Sequence, residues 1–437
     1  MNKKLLFLLL VTISINKALT AQSLYFPPVS NSANWDTISP ESLGWCVSNI
    51  DSLYGFLELQ NSKAFIVLKD GKIALEKYFG TFTKDSIWYW ASAGKSLTSF
   101  LIAKAQEEGY LKITDPSSKY LGVGWTDCTL QQENKISILN QITMTTGLDD
   151  GVTDNHCTDK SCLVFKANAG TRWAYHNAPY TLLEKVITTA TNKPINTYTA
   201  SKLSQKTGIN GAWLTTGYDN VFYSKLRNMA RFGLLFQNNC IWNGEALLND
   251  TNYISQMTNS SQNINPAYGY LWWLNGKSSF MIPTLQTSFP GSLAPQAPDD
   301  MFAAIGKNGQ IISVSKSKGL VVVRMGDAPG NFSEVPTVFL NQMWQKLNAV
   351  ICNKTNLQSL ENDMDEINVF PNPVNNHLNI SGLKNLAFSI EIYNAIGQVT
   401  KTGNNLNVID ISNLTNGLYF LIITVENKSK VLLFSKN

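Results

Sequence analysis

Trp88-Tyr89-Trp90-Ala91-Ser92-Ala93-Gly94-Lys95 carries the chain from an aromatic strand pattern into a helical one, since Leu97, Phe100 and Leu101 then recur at three- and four-residue spacing. The periodicity predicts a helix from Ser92 to near Gly109. A serine at the first turn of such a helix lies beside free backbone N–H groups, and a lysine three residues on shares its face one turn away. In a water-poor pocket the charged form of that lysine is disfavoured, so it can take a proton from the serine. The spacing alone equally fits a capping serine beside a solvated lysine, so the pair needs partners elsewhere. Gly94-Lys95-Ser96 does not end a phosphate-binding loop, because Tyr89 stands where G-x-x-x-x-G-K-[ST] requires its first glycine.

Outward from this stretch, Ser39-Pro40-Glu41 reads as a helix start and predicts a helix to about Leu59. Phe65 to Leu68, Asp70-Gly71 and Ile73 to Leu75 predict a β-hairpin. From Ser92 to Met257 the pattern is mostly helical, as in Met229, Phe232 and Leu235. Strand patterns return at Met301 to Ile305, Gln310 to Val314 and Leu320 to Val323, and a helix is expected from Val335 to Leu347. That order predicts an α/β lobe with a helical lobe inserted into it.

Two further clusters carry chemistry. Tyr175-His176-Asn177 follows the turn Ala169 to Trp173. A tyrosine there can shuttle protons if a cation such as Lys95 lowers the cost of its anion, and Asn177 offers an amide to a substrate carbonyl and to the lysine. Lys307-Asn308-Gly309-Gln310 joins two strand patterns; a glycine there permits close approach of a ligand, and the N–H groups of Gln310 and Ser92 would form a two-donor oxyanion hole. Read singly, each cluster also fits packing or a plain turn.

In order, these three elements resemble the Ser-x-x-Lys, Tyr-x-Asn and Lys-Thr-Gly set of the serine β-lactamase and penicillin-binding protein superfamily. Residues 40 to 350 are most similar to its class C branch, which also holds esterases and amide hydrolases. The resemblance implies an antiparallel sheet flanked by helices with a helical lobe, and no cofactor. It makes Ser92 the nucleophile, Lys95 and Tyr175 the proton handlers, and Asn177, Lys307, Asn308, Gly309 and Gln310 the substrate-binding set for a small molecule or peptide. Asn308 stands where the family often has Thr or another small residue, which puts β-lactam cleavage in doubt. A literal Lys206-Thr207-Gly208 follows Tyr175 too closely to serve. A non-catalytic receptor for peptide or peptidoglycan fragments is the rival from another class. A Ser-His-Asp triad finds only His156 and His176 in this region and no G-x-S-x-G elbow; His176 stands as an alternate base. Trp272, Trp273, Tyr268 and Tyr270 are candidates to line the cleft.

With 35 basic and 31 acidic residues among 437, the charge gives no support to nucleic-acid binding. Residues 1–21, with Lys3-Lys4, the apolar Leu5 to Val11 and Ala18 to Ala21, read as a signal peptide, and no other segment is long and apolar enough for stable membrane insertion. Six cysteines in an exported chain imply disulfides, with Cys157 and Cys162 the first pair expected and a zinc site beside His156 the weaker alternative. Residues 22–352 are expected to form the hydrolase domain and the polar stretch 353–366 a linker. Beyond it, short strand patterns predict a small β-sandwich over 367–437. Val369 to Val374, Ile392 to Gln398 and Leu414 to Tyr419 are similar to the type A sorting domain of type IX secretion, found in certain Gram-negative bacteria. That resemblance implies the type IX machinery as a partner and a secreted or cell-surface destination.

Overall fold

The computed structural model describes residues 24–30, 34–330, 335–352, 367–383, 387–395, 397–425 and 428–437. The signal peptide expected at 1–21 and the linker expected at 353–366 lie outside the described residues. The chain divides into two compact units, Met1–Cys352 and Asn353–Asn437.

In the first unit, α1 (Ile50–Leu59) leads into β1 (Ser62–Lys69), β2 (Lys72–Tyr78), β3 (Ile87–Tyr89) and α2 (Gly94–Glu107). Next come α3 (Asn177–Thr181), β4 (Gly211–Thr216), β5 (Asp219–Lys225) and α4 (Leu226–Gln237). The unit closes with β6 (Trp273–Leu274), β7 (Phe302–Gly306), β8 (Gln310–Ser315), β9 (Leu320–Gly326) and α5 (Thr337–Ile351). Six of these strands form one antiparallel sheet in the order β2-β1-β9-β8-β7-β6. The early hairpin therefore meets the late strands along β1 and β9, and the helical lobe is looped out between them.

Side-chain alternation explains the layering. Ile312 and Ser313 are adjacent on β8 and point to opposite faces. On one face α4 comes so close that a Cβ on Gly233 would lie 2.4 Å from Val321 and 3.0 Å from Ile312. On the other, Trp344 of α5 donates its indole N–H to Ser313 Oγ at 3.1 Å. Phe339 of α5 stacks on Phe56 of α1 at 5.9 Å, so those two helices share that face. Covered on both sides, β7, β8 and β9 are buried along their whole lengths, which is why they read as continuous apolar runs. The β1–β2 turn has Asp70 at φ 48° and Gly71 at φ 85°, the left-handed pair that a two-residue hairpin needs.

Pro40 does not open the first helix. Trp45 N–H bonds back to Pro40 O at 2.9 Å, Gly44 reverses the chain at φ 71°, and Cys46 N–H reaches Val350 O at 2.8 Å. The disulfide Cys46–Cys352, spanning 306 residues, fixes that excursion, and regular helix begins only at Ile50.

The second unit holds a three-stranded sheet (Asn368–Phe370, His377–Ser381, Val408–Asp410) and a four-stranded one (Val399–Asn404, Phe388–Asn394, Gly417–Val425, Lys428–Lys436). Gly417–Val425 alternates exposed and buried, with Tyr419, Leu421, Ile423 and Val425 turned inward. Together with Leu378, Ile390, Ile392 and Phe434 they form a separate core, as a small β-sandwich requires.

Candidate active site

The serine turn begins at the end of β3. That strand pairs with β5, Trp90 N–H bonds to Phe222 O at 2.8 Å, and the buried Trp90 indole donates to Ser224 Oγ at 2.7 Å. Ala91 then adopts φ 48°, a left-handed conformation that costs a residue with a Cβ on the order of 1–2 kcal/mol. This turn swings Ser92 into the cleft within a 3₁₀ turn, Ala91–Ala93, from which α2 continues at Gly94. Ser92 and Lys95 thus keep the one-turn spacing read from the sequence, although regular helix starts two residues later than expected.

Lys95 is only 4% exposed, and its Nζ lies 3.1 Å from Ser92 Oγ and 2.9 Å from Asn177 Oδ1. It sits over the ring of Tyr180 at 3.9 Å and that of Tyr175 at 5.2 Å, so two aromatic faces replace part of the water that burial removes. Tyr175 is itself buried, stacked on Trp273 at 5.7 Å and edge-on to Tyr268 at 6.2 Å. Trp272, Trp273, Tyr268 and Tyr270 are all buried, and Trp272 packs among Phe232, Phe236 and Phe302. They are core residues and not cleft walls. His176 is buried away from the cleft, and burial holds its imidazole down at about 4 against the opposing pull of Asp150 and Asp149.

The cleft is open to solvent and holds a cavity of about 200 Å³, and its aromatic wall is Tyr89, Tyr180 and Tyr223. Ser92, Lys95 and Asn177 face into it with His156, Asp219 and Lys307. Burial alone would push the Asp219 carboxyl up, but its hydrogen bond to His156 and the nearby charge of Lys95 hold it below the ordinary carboxylate value.

The 307–310 stretch divides its labour differently from the sequence expectation. β6 covers only Phe302 and Ala303 of β7, so the far end of β7 is free to meet the serine turn. There a Cβ on Gly306 would lie 2.5 Å from Trp90 O, 2.9 Å from Ala93 N and 3.0 Å from Ser92 N. Gly306, not Gly309, is therefore the glycine that permits close approach. Gly309 has φ 73° and faces the Arg324 guanidinium, 2.7 Å from a hypothetical Cβ. Gln310 pairs with Gly306 across the hairpin, is fully buried, and ties its side chain to the backbone of Gly326. Lys307, which follows Gly306 directly, is exposed in the cleft, and Asn308 donates its amide to Tyr89 Oη at 2.7 Å. Arg324 anchors the hairpin from behind through the carbonyls of Asn308 and Gly309. Lys206-Thr207-Gly208 merely ends a helix, with Gly208 in the left-handed region and Arg231 on Thr207 O.

With this geometry in place, the family comparison is decisive: the model of the Beta-lactamase family matches residues 61–336, more than half of the chain. The chain belongs to the beta-lactamase family. Solved structures share the fold. A provisionally named 6-aminohexanoate-dimer hydrolase from Bacillus anthracis is 17% identical with a TM-score of 0.55, covering 72% of this chain and 87% of that one. A provisionally named beta-lactamase from Bacteroides dorei gives 16% and 0.54, covering 71% and 100%. A penicillin-binding protein homologue from Caulobacter crescentus gives 11% and 0.54, covering 70% and 99%. No match was found among curated proteins. The Secretion system C-terminal sorting domain matches residues 368–434, so the chain is exported to a secreted or cell-surface destination, which implies the type IX machinery as partner. Among the described residues no helix is long and apolar enough to cross a membrane.

In this beta-lactamase-family unit Cys157 and Cys162 are bonded to each other, which removes both as thiolate ligands for zinc, and Cys128 and Cys240 are free. Sequence reading missed His156 and Asp219 as site residues. His156 was visible beside the Cys157–Cys162 loop, whereas Asp219, 63 residues further on, carried no local signal.

Proposed function

We propose that the chain is a serine hydrolase that cleaves an ester or amide through a covalent Ser92 acyl-enzyme. The observation that carries this reading is the Lys95 Nζ 3.1 Å from Ser92 Oγ in an open cleft. As Ser92 Oγ attacks the substrate carbonyl, its proton passes to Lys95, and the carbonyl electrons collect on oxygen. The N–H groups of Ser92 and Lys307 hold that oxyanion; Lys307 takes the part expected of Gln310 because it follows the glycine pressed against the serine turn. When the tetrahedral intermediate collapses, the bond to the alkoxide or amine breaks, and Tyr175 relays the proton from Lys95 to it. Water then repeats the attack on the acyl ester and releases the acid. Asn177 keeps Lys95 in place, and Asn308, committed to Tyr89, shapes the wall. Tyr89, Tyr180 and Tyr223 favour a small substrate with an apolar body over a strongly charged one.

In chain order we propose a signal peptide at 1–21, the hydrolase at 22–352, a linker at 353–366 and the sorting domain at 367–437. The test is hydrolysis of a small chromogenic ester by the wild type and Ser92→Ala, with fluorophosphonate labelling mapped by mass spectrometry. Full turnover by the variant would sink the reading. No adduct on the wild type would favour the non-catalytic receptor.

A further inference from the structure

Four bonds in line connect the cleft's rim to the serine. His156 Nδ1 lies 2.8 Å from the Asp219 carboxylate, His156 Nε2 lies 3.2 Å from Asn177 Nδ2, Lys95 Nζ lies 2.9 Å from Asn177 Oδ1, and the same Nζ lies 3.1 Å from Ser92 Oγ. Elementary donor and acceptor rules fix the direction of each. Lysine has hydrogens to give in either protonation state, so Asn177 must turn its carbonyl oxygen to Lys95. Its NH₂ then faces the other way, with one hydrogen for Asn155 Oδ1 at 3.2 Å and one for His156. An amide nitrogen cannot accept. His156 Nε2 therefore has to be the acceptor, the ring proton must sit on Nδ1, and that proton is the one donated to Asp219.

We propose that His156, held in this tautomer by Asp219, is a positioning residue of the Ser92 site: it locks the Asn177 amide so that the amide oxygen fixes Lys95 with its lone pair aimed at the serine proton. The inference rests on the Ser92 and Lys95 reading above. The elements that bring the groups together are built for it. The segment carrying Asn155 and His156 runs directly into the ring closed by the Cys157–Cys162 disulfide and is pinned to the start of α3 by the bond from Ala178 N–H to Asn155 O at 2.9 Å. Asp219 is presented at the first position of β5, just past the two-residue turn Gly217-Tyr218, by a hairpin whose sheet also contains β3. The serine turn and the carboxylate thus ride on one sheet, and the histidine is stapled opposite. A partly exposed hydrogen bond between His156 and Asp219 would add little to stability, so a purely structural role predicts almost nothing for their loss.

The test compares full-length wild type with Ser92→Ala, His156→Ala, His156→Gln and Asp219→Asn, measuring kcat and KM on the chromogenic ester, the rate of fluorophosphonate attachment to Ser92, and melting temperature. His156→Ala should lower kcat and the labelling rate by about 10- to 100-fold with KM and melting temperature nearly unchanged, the scale on which small misplacements act. His156→Gln, whose amide oxygen can accept from Asn177, should recover most of the loss. Asp219→Asn, which lets the ring proton move to Nε2, should resemble His156→Ala. If Ser92→Ala is inactive while His156→Ala retains wild-type kcat and labelling, the positioning role is overturned and the nucleophile stands. If His156→Gln is as impaired as His156→Ala, the acceptor argument is overturned. An active Ser92→Ala overturns the underlying reading instead.

Discussion

His176 offers the sharpest stability test, because it is a titratable ring with nowhere to put a proton. It is 2% exposed, and neither ring nitrogen has a hydrogen-bond partner among the described residues. Burial depresses its imidazole from 6.5 to about 4, and Asp150 and Asp149 offset only part of that. A depressed value means that the folded state stays neutral while the unfolded chain takes up a proton. Above pH 6.5 neither state is protonated and nothing is lost; between 6.5 and about 4 stability falls as pH falls; below that the loss is complete. At 1.36 kcal/mol for each pH step the full loss is about 3 kcal/mol. Replacing the ring by His176→Leu removes this penalty and two unpaired buried nitrogens. The variant should be at least as stable as the wild type at pH 7.5, and the gap should widen through pH 6 and 5 and level off near 4. All eleven tryptophans precede Cys352, so their emission during guanidinium unfolding reports on the hydrolase unit alone. Carboxylates whose values the fold also lowers and that do not act on His176, such as Asp115 and Asp300, act alike in both proteins and cancel in the difference. Parallel stability curves would refute the reasoning.

Gly306→Ala should reduce kcat/KM on the ester by about 100-fold or more, since its Cβ enters the serine turn at an ordinary φ, whereas Gly309→Ala should cost on the order of 1–3 kcal/mol of stability and spare kcat. Equal activities of the two variants would count against the assignment of Gly306. Arg324→Met leaves the carbonyls of Gln60, Asn308, Gly309 and Asp327 without their donor and should destabilise the hydrolase unit by about 3 kcal/mol or more, read from tryptophan emission. A chain ending at Cys352 should hydrolyse ester as well as the full chain, while residues 367–437 fused to an unrelated exported protein should carry it past the outer membrane of a host with type IX secretion; fractionation and activity assays check both.

What could be read in advance was whatever obeys a short period. Ser92 and Lys95 share a helix face because three residues make nearly one turn, and the buried runs of β7, β8 and β9 announce strands covered on both sides. What could not be read depends on register and on partners distant in sequence. An Asn-Gly turn looks the same whether Gly306 or Gly309 meets the serine; only the pairing of Gly306 with Gln310, together with the short reach of β6, decides it. The early helix was misplaced for the same kind of reason, because a bond across 306 residues pulls Cys46 out of line.

The aromatics show how this changes the functional reading. A row such as Tyr268, Tyr270, Trp272 and Trp273 suggests a substrate wall, yet these side chains are buried and Trp273 lies flat beneath Tyr175. A tyrosine proposed to relay protons has to be held in place, and a stacked indole with an edge-on tyrosine does so by area and geometry. Lys95 receives the same treatment from the face of Tyr180. On the proposed mechanism the buried aromatics hold the proton handlers, and selectivity falls to the tyrosines of the cleft wall, Tyr89, Tyr180 and Tyr223, of which Tyr89 is fixed by Asn308. On the same proposal Asn308, which stands where the family often has Thr or another small residue, acts on substrate through Tyr89.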